Sequence, residues 1–228
     1  MTAGGLSGAL NITVGAVGAT VIGGSGNDVI TGAGAADKLV GGSGDDTING
    51  GAFADSISGG TGNDRFVLGN GVTIDSITDF STSGANGADV IAFSFTALYN
   101  GTLTALKDGN DAAVVAGTVA GVKHVSTATT LAAGQNVIVL DGTFGSSAAV
   151  LTAIDVGGSR QLTLASAAGA ATDDIMVVWT DGTTGHVGTV NWGAAATTAA
   201  AAYTADLATL TGVADVTGLA SANFLWIV

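Results

Sequence analysis

The chain has 228 residues, of which 38 are glycine and none is cysteine, proline or glutamate, and its formal net charge is −13. This charge argues against nucleic acid and anionic lipid as partners because both repel an acidic chain, and the lack of cysteine excludes disulfides. Thr, Val, Ile and Gly are abundant, whereas helix formers such as Glu, Lys and Gln are rare or absent. This composition predicts an all-β fold rich in turns.

The first residues contain no charged segment followed by an apolar core, so we expect no secretory signal peptide at the N-terminus. No apolar run approaches the ~18 residues that are needed to span a bilayer, so we also expect no transmembrane segment. If the protein is exported, its targeting signal lies elsewhere in the chain.

Residues 23–67 consist of five blocks of nine residues without insertions: GGSGNDVIT, GAGAADKLV, GGSGDDTIN, GGAFADSIS and GGTGNDRFV. Each block has an aspartate at its sixth position and an apolar residue two positions later. The apolar register extends back to Val21 and Ile12, where Ala19 and Leu10 stand in place of the aspartate. Two explanations are open: a degenerate N-terminal cap, or a longer solenoid of which this chain contains one part.

Each block divides into a turn of about six residues and a strand of about three, which is stable only when stacked. If two blocks form one coil, the turns alternate between two edges. The first edge then comprises turns 23–28, 41–46 and 59–64, with Asp28, Asp46 and Asp64. The second edge comprises turns 32–37 and 50–55, with Asp37 and Asp55. All three well-formed glycine turns lie on the first edge, while Ala33, Ala35, Phe53 and Ala54 interrupt the pattern on the second.

Stacking places the carboxylates of one edge about 4.8 Å apart, where each neighbouring pair repels by roughly 3 to 4 kcal/mol. The few apolar residues of a repeat do not easily offset this cost, whereas a divalent cation between the turns reverses its sign. The ligands on offer are carboxylate and backbone carbonyl oxygens, which favour calcium over magnesium, and the lack of nearby His and Cys argues against zinc or copper.

The blocks GGSGNDVIT, GGSGDDTIN and GGTGNDRFV resemble the nonapeptide of the RTX (repeats-in-toxin) family. The resemblance implies a right-handed parallel β-roll in which calcium lies between the turns of successive coils. The segments DSITDF (75–80) and GADVIAF (87–93) resemble the capping stretch that follows such repeats. Carried over by position, the metal-site residues are Gly24, Gly26, Asp28, Asp37, Gly42, Gly44, Asp46, Asp55, Gly60, Gly62, Asp64, Asp79 and Asp89.

Beyond the strict repeats, GANGADVIA (84–92) fits the same nonapeptide as one more turn displaced by an insertion. We therefore divide the chain into a β-roll over residues 1–83 and a C-terminal domain over 84–228. Short Val/Ile/Leu/Thr runs predict that this second domain is β-rich, either a sandwich or an irregular solenoid. Within it, residues 197–210 predict a loop or short helix, and Trp179 and Trp192 flank a predicted hairpin. His124 and His186 are predicted to be surface or hydrogen-bonded residues.

No HExxH or G-x-S-x-G motif occurs, so we expect no enzyme activity. The RTX resemblance implies type I secretion, with the final residues, ending in FLWIV, as either an uncleaved signal or a last core strand. We expect a secreted calcium-binding structural protein that self-assembles as part of a bacterial surface layer (S-layer), for which similar layers imply lipopolysaccharide as cell-surface partner. The alternative is the calcium-folding and secretion module of a larger toxin, adhesin or enzyme.

Overall fold

The computed structural model describes residues 7–68, 73–83, 87–94, 105–106, 121–132, 134–155, 158–164, 173–192 and 200–227. The elements of the first half are β1 (Asn11–Thr13), β2 (Thr20–Ser25), β3 (Val29–Thr31), β4 (Lys38–Ser43), β5 (Thr47–Asn49), β6 (Ser56–Thr61), β7 (Arg65–Leu68), β8 (Asp75–Ile77) and β9 (Val90–Ser94). The second half adds β10 (Ala105–Leu106), β11 (Gly121–Val125), β12 (Thr129–Leu131), β13 (Gln135–Thr143), α1 (Ser147–Ile154), β14 (Leu162–Leu164), β15 (Asp173–Thr180), β16 (Thr184–Trp192), β17 (Ala200–Thr211) and β18 (Phe224–Ile227).

The repeats form two parallel sheets that face each other, and the coil has the predicted length of eighteen residues. In one sheet β2, β4 and β6 pair in register, so that Val21 lies beside Leu39 and Leu39 beside Ile57. In the other sheet β1, β3, β5 and β7 pair in the same way, with Ile30 beside Ile48. The chain is therefore an all-β parallel roll in this region, as its nine-residue period predicts.

The interior of the roll is the row of apolar residues that the period picked out. Leu39, Ile57, Ile30, Ile48 and Phe66 are fully buried, because the residue two positions after each aspartate points inward from its strand. The register extends to β1 and β2, where Val21 is buried and Ile12 packs against the same core. Coils without the aspartate thus belong to the roll.

The strands of the two sheets differ in length, which the sequence did not predict. β3 and β5 have three residues, as expected, but β2, β4 and β6 have six and include the first three residues of each first-edge turn. Gly24 pairs with Gly42, and Gly42 with Gly60, in this extension. The first-edge turns are therefore continuous with one sheet, and their backbones stack in register.

The roll continues beyond the strict repeats. β8 pairs with β6 through Ile57 and Ile77, and β9 pairs with β7 through Phe66 and Ile91. The sequence GANGADVIA thus provides a further strand of the roll after an insertion, as predicted. Phe80, in the segment that connects them, is buried against Phe66 with ring centroids 6.0 Å apart.

The C-terminal half extends one sheet of the roll instead of forming a separate sandwich. The sheet runs β11-β13-β15-β16-β17-β8-β6-β4-β2, and β16 is antiparallel to both of its neighbours, β15 and β17. Alternate residues of β13 enter different cores: Val137 and Val139 face the interior shared with the roll, and Ile138 and Leu140 face a second core. The division at residue 83 stays a prediction, although the sheet crosses it.

The second core is covered by α1 and by the parallel pair β12–β14. The helix begins after Ser146, whose side chain accepts the Ala149 N–H at 3.2 Å. Its buried residues, Val150, Ala153 and Ile154, follow the spacing of a helix face that packs on a sheet. The sequence analysis did not predict this helix.

The prediction of a loop or short helix over residues 197–210 is wrong. Residues Ala200–Thr211 form the twelve-residue strand β17, which pairs with β16 on one side and with β8 on the other. Backbone hydrogen bonds to two neighbours outweigh the helix preference of alanine. The predicted hairpin is observed, since β15 and β16 pair from Asp173 with Trp192 to Thr180 with Gly185.

The C-terminal strand closes the second sheet of the roll. β18 pairs in parallel with β9, next to β7, and Phe224 is buried with its ring 6.1 Å from that of Phe93. The buried Asn223 side chain donates a hydrogen bond to the Asp89 carbonyl at 2.9 Å. The final residues thus form a core strand, one of the two readings of this segment. Among the described residues, no helix is long and apolar enough to cross a membrane.

The inward and outward residues of β3 provide a test of the roll core. Ile30→Ala should lower the free energy of unfolding by about 2–5 kcal/mol, because it leaves a cavity in a fully buried row. The adjacent Val29→Ala should cost less than ~1 kcal/mol, because Val29 points outward and is 40% exposed. Urea unfolding of both variants in calcium measures the difference, and equal losses would contradict the assignment of the core row.

Candidate metal centre

The repeat aspartates are buried, and on each edge they form a hydrogen-bonded ladder. Asp28, Asp46 and Asp64 of the first edge are each 1% exposed. The Asp28 N–H donates to Asp46 Oδ1 at 2.7 Å, and the Asp46 N–H donates to Asp64 Oδ1 at 2.9 Å. Each carboxylate therefore receives the amide of the residue eighteen positions earlier, which for Asp28 is Leu10. This contact holds successive turns in register and uses one oxygen of each side chain.

The other oxygen of most of these carboxylates has no hydrogen-bond partner. Oδ2 of Asp28, Asp46, Asp55 and Asp64 is buried and unpaired. Leaving a buried carboxylate oxygen unpaired is costly, because the charge has lost its water without gaining a protein donor. Within the described part of the chain, no Lys or Arg forms a salt bridge with these groups. Four buried anionic oxygens thus lack any counter-charge from side chains.

Glycine surrounds each unpaired oxygen of the first edge. A Cβ on Gly23, Gly41 or Gly59, the first residue of each turn, would collide with Oδ2 of the aspartate that ends the same turn. The same Cβ on Gly41 would lie 2.7 Å from the carbonyl oxygen of Gly59 in the next coil. The turn therefore needs glycine at this position, because carboxylate and carbonyl oxygens converge where a side chain would stand.

Burial raises the pKa of Asp46, Asp55 and Asp64. The pKa of Asp46 is raised to about 6, first by loss of solvent and further by the charges of Asp64, Asp28 and Asp45, although the Asp28 amide opposes the rise. Loss of solvent and neighbouring like charges thus oppose ionisation of these three carboxyls, as expected for stacked carboxylates.

The second edge has only part of this arrangement. The Asp37 N–H donates to Asp55 Oδ1 at 2.7 Å, so the ladder is present. Asp55 Oδ2 is unpaired, but Asp37 Oδ2 receives the Ala33 N–H at 3.4 Å. Phe53 adopts φ 76 at the fourth turn position, where the first-edge turns have glycine. The interruptions in the sequence therefore correspond to altered turns.

The capping segment places three further aspartates at the end of the stack. Asp89 extends the first edge: its Oδ1 accepts the Asp64 N–H at 3.0 Å and its Oδ2 the Ser81 N–H at 2.8 Å. Asp79 accepts the Gly59 and Gly60 N–H groups at 3.0 and 2.9 Å, and the Ser58 hydroxyl. Since both oxygens of Asp79 and of Asp89 are engaged, their role as metal ligands stays a prediction.

Asp75 extends the second edge and was missing from the predicted set. Its Oδ1 accepts the Asp55 N–H at 3.0 Å, and burial, with the charge of Asp55, raises its pKa to about 7. Burial also raises the pKa of Asp89 to about 6. The signal for Asp75 was present in the sequence, because Ile77 follows it by two positions as in every repeat. Its spacing of twenty residues from Asp55 concealed it.

The residues of the first edge fit a hard divalent cation. Unpaired carboxylate oxygens lie beside converging carbonyls, and these are the oxygen ligands that calcium prefers. Among the described residues, no three His, Cys, Asp or Glu side chains form a metal-binding group by themselves, so backbone carbonyls must supply most ligands. Asp28, Asp46 and Asp64 with their glycine turns are the residues that would hold the ion. A bound cation would supply the counter-charge that these carboxylates lack.

The two histidines lie outside the roll and are hydrogen-bonded, as the sequence analysis expected. His124 contacts Asp141 Oδ1 at 3.2 Å and the Leu219 carbonyl at 2.7 Å. His186 stacks on Trp179, with ring centroids 3.9 Å apart, and contacts Asp206 at 3.1 Å. Each ring ties two segments of the C-terminal half together.

The repeat region matches a known family. Residues 15–48 and 40–73 match the model described as RTX calcium-binding nonapeptide repeat (4 copies). Among solved structures, the chain is similar to the AlgE6R3 subunit from the Azotobacter vinelandii mannuronan C5-epimerase, with 26% identity over 50% of this chain and 67% of that one and a TM-score of 0.22. None of the curated proteins matches the chain. Nonapeptides of this family bind calcium, and residues 15–73 of this chain therefore consist of RTX calcium-binding repeats.

Proposed function

We propose that this chain is a secreted structural protein whose β-roll folds on binding calcium and whose folded form self-assembles, as part of a bacterial surface layer. The observation that carries the calcium step is the set of four buried, unpaired carboxylate oxygens at Asp28, Asp46, Asp55 and Asp64. RTX repeats are typical of secreted proteins, and extracellular calcium is abundant where cytoplasmic calcium is scarce. The fold would thus be unstable before export and stable after it.

Folding depends on the metal because the stacked carboxylates oppose it. The carboxylate of Asp46, for example, is repelled by the charges of Asp28, Asp45 and Asp64, and that of Asp64 by the charges of Asp79 and Asp45. A cation held at Oδ2 converts each of these repulsions into an attraction, so its binding free energy adds to the folding free energy. The two fully buried apolar residues of each coil, such as Ile30 and Leu39, and a ladder of amides then suffice to keep the coils stacked.

The second edge supports self-assembly. Phe53, at the fourth position of a second-edge turn, is 54% exposed, Val17, at the equivalent position of residues 14–19, is 82% exposed, and Ile74 is 46% exposed. A groove of about 580 Å³ along this edge is lined by Ile74 and also by Asp37 and Asp55, whose side chains are buried. Two copies of an acidic chain repel each other over most of their surface, but these exposed apolar residues can meet those of a second copy.

The alternative proposal is an export and folding module of a larger protein. Its support is the position of β18, which adds to the end of the roll through β9. A C-terminal signal of type I secretion could be exposed during export and become buried as a core strand when the chain folds outside the cell. Both proposals share the calcium step and both assign the chain a structural role instead of catalysis. Lipopolysaccharide as surface partner stays a prediction from the resemblance.

Substitutions on the two edges test which turns bind calcium. Asp46→Asn keeps an oxygen that can accept the Asp28 N–H but replaces the free anionic oxygen by an amide. It should raise the calcium concentration at the folding midpoint by roughly tenfold or more, because calcium affinity depends on the number of charged ligands. The matched Asp37→Asn change should shift the midpoint less, since Asp37 Oδ2 already accepts an N–H. Calcium titrations by circular dichroism measure the folding midpoint of both variants, and equal shifts would contradict the assignment of calcium binding to the first edge.

The pH dependence of stability should reverse sign with calcium. Without metal, the raised pKa values of Asp46, Asp75 and Asp89, to about 6, 7 and 6, mean that the fold binds protons more tightly than the unfolded chain. Their contribution is therefore present below the ordinary pKa near 4 and is lost as pH rises through 6 to 7. With saturating calcium the ionised form is bound, so stability should rise over the same range. Urea unfolding at pH 5 and 7.5, in chelator and in calcium, tests this, and parallel slopes would refute it.

The second edge should govern association. The wild-type chain should form large assemblies when calcium is added, measured by light scattering and electron microscopy. Phe53→Asn, which suits the left-handed backbone at this position, should leave the calcium-induced dichroism unchanged but reduce association several-fold, because the exposed ring supplies apolar contact area. The control is Val29→Ser, which removes an exposed apolar side chain from β3, a strand in the sheet that also contains β5 and β7. A wild-type chain that folds with calcium yet stays monomeric would favour the export module.

A further inference from the structure

A second ladder of side chains, here called the outer ladder, runs along the outside of the first edge, one residue before the aspartates. Asn27, Asp45 and Asn63 occupy the fifth position of successive turns and are exposed. The Asp45 N–H donates to Asn27 Oδ1 at 3.0 Å, and the Asn63 N–H donates to Asp45 Oδ1 at 2.8 Å. The Ala88 N–H completes the series by donating to Asn63 Oδ1 at 3.0 Å. Each turn is thus tied to the next by a side-chain oxygen.

We infer that Asn27, Asp45 and Asn63 are positioning residues for calcium: their side-chain oxygens hold successive first-edge turns at the separation that the metal requires. At each step they accept a backbone amide of the neighbouring turn, and Asp45 also accepts the Asn63 side-chain amide. Because both this ladder and the aspartate ladder span the same pair of turns, two adjacent amides of each turn are fixed. The carbonyls between which the cation binds are then ordered before it arrives, and less of the binding free energy is lost in ordering them.

The second edge shows what happens without this ladder. There the fifth turn positions are Ala36 and Ala54, which have no oxygen to offer, while the aspartate ladder persists through Asp37 and Asp55. In these turns Phe53 stands at positive φ in place of a glycine, and Asp37 Oδ2 accepts the N–H of Ala33 from the same turn. The aspartate ladder alone therefore accompanies altered turns, and the two ladders together accompany regular ones.

The shared feature of the outer ladder is an acceptor oxygen and not a charge. Asn27 and Asn63 have neutral amide side chains, and only Asp45 has a carboxyl group. The Asp45 charge is unfavourable for its neighbours, since it raises the pKa of Asp46 and of Asp64. Asp45 accepts both the N–H and the side-chain Nδ2 of Asn63, at 2.8 and 3.1 Å. Its geometry, and not its attraction for calcium, is therefore what the neighbouring turns use.

This inference rests on the proposed calcium-dependent folding, and a pair of variants at one position separates it from a charge effect. Asp45→Asn keeps the acceptor and removes the charge, whereas Asp45→Ala removes both. The control Asp215→Asn removes one exposed charge in the loop between β17 and β18 and keeps an oxygen that can accept the Thr217 N–H. Calcium titrations by circular dichroism at pH 7.5 give the folding midpoint of each chain. The luminescence lifetime of Tb³⁺ at saturation reports how many waters remain on the bound ion, independently of affinity.

Asp45→Ala should raise the calcium midpoint by roughly three- to tenfold, as the loss of side-chain-to-backbone hydrogen bonds predicts, and should shorten the Tb³⁺ lifetime. Asp45→Asn should stay within about twofold of wild type with an unchanged lifetime, as should the control Asp215→Asn. Equal shifts for Asn and Ala at position 45 would overturn the positioning role in favour of charge, and an unchanged Ala variant would overturn it outright. A shifted midpoint of Asp45→Ala with an unchanged lifetime would mean that the outer ladder stabilises the fold without positioning the calcium ligands, and would overturn the positioning role. If the wild-type chain is already folded in chelator, the proposed function itself fails.

Discussion

The constraint on which this structure depends is the burial of like charges in register. A period of nine residues places an aspartate at the same point of every turn, and the eighteen-residue coil then stacks these aspartates directly above one another. One oxygen of each side chain receives a backbone amide from the preceding coil, so the carboxylate is itself part of what joins the coils. The residue type that links neighbouring coils is thus also the one that repels its own copies. A bound cation would resolve this conflict by engaging the second oxygen, which has no hydrogen-bond partner in Asp28, Asp46 and Asp64.

This conflict explains why glycine, and not a larger residue, accompanies each aspartate. The first glycine of the turn leaves the room that the free carboxylate oxygen occupies, and the glycines at the second and fourth positions adopt positive φ on the first edge. Where the second edge substitutes alanine or phenylalanine, the aspartate ladder survives but the turn changes. Burial of the carboxylate follows from stacking alone, whereas a competent oxygen cage also needs the backbone freedom of glycine.

The sequence predicts the roll well because its determinants are local and periodic. The apolar residue two places after each aspartate identifies every inward position from Ile12 to Phe66, and the same pattern locates Asp89 after an insertion. Features that depend on distant partners were not predicted. Asp75 joins the second edge with an irregular spacing, and the alanine-rich segment becomes β17 because β16 and β8 flank it. The helix at Ser147–Ile154 had a capping serine, but so short an apolar run does not distinguish helix from strand.

The nine-residue period gives both edges of the roll the same stacked aspartates, but the residues around those aspartates differ between the two edges. On the first edge, polar side chains outside the aspartates tie the turns together and glycines shape the cage, so that edge is suited to a cation and to water. On the second edge, the same positions have Ala36, Ala54 and Phe53, which cannot form the outer ladder and which expose apolar surface. The substitutions that alter the turns of the second edge thus also expose apolar surface on that same edge. In the proposed function, calcium bound on the first edge would fix the spacing of the apolar residues on the second edge, because both edges are built on the same stacked coils. Association would then follow folding instead of competing with it.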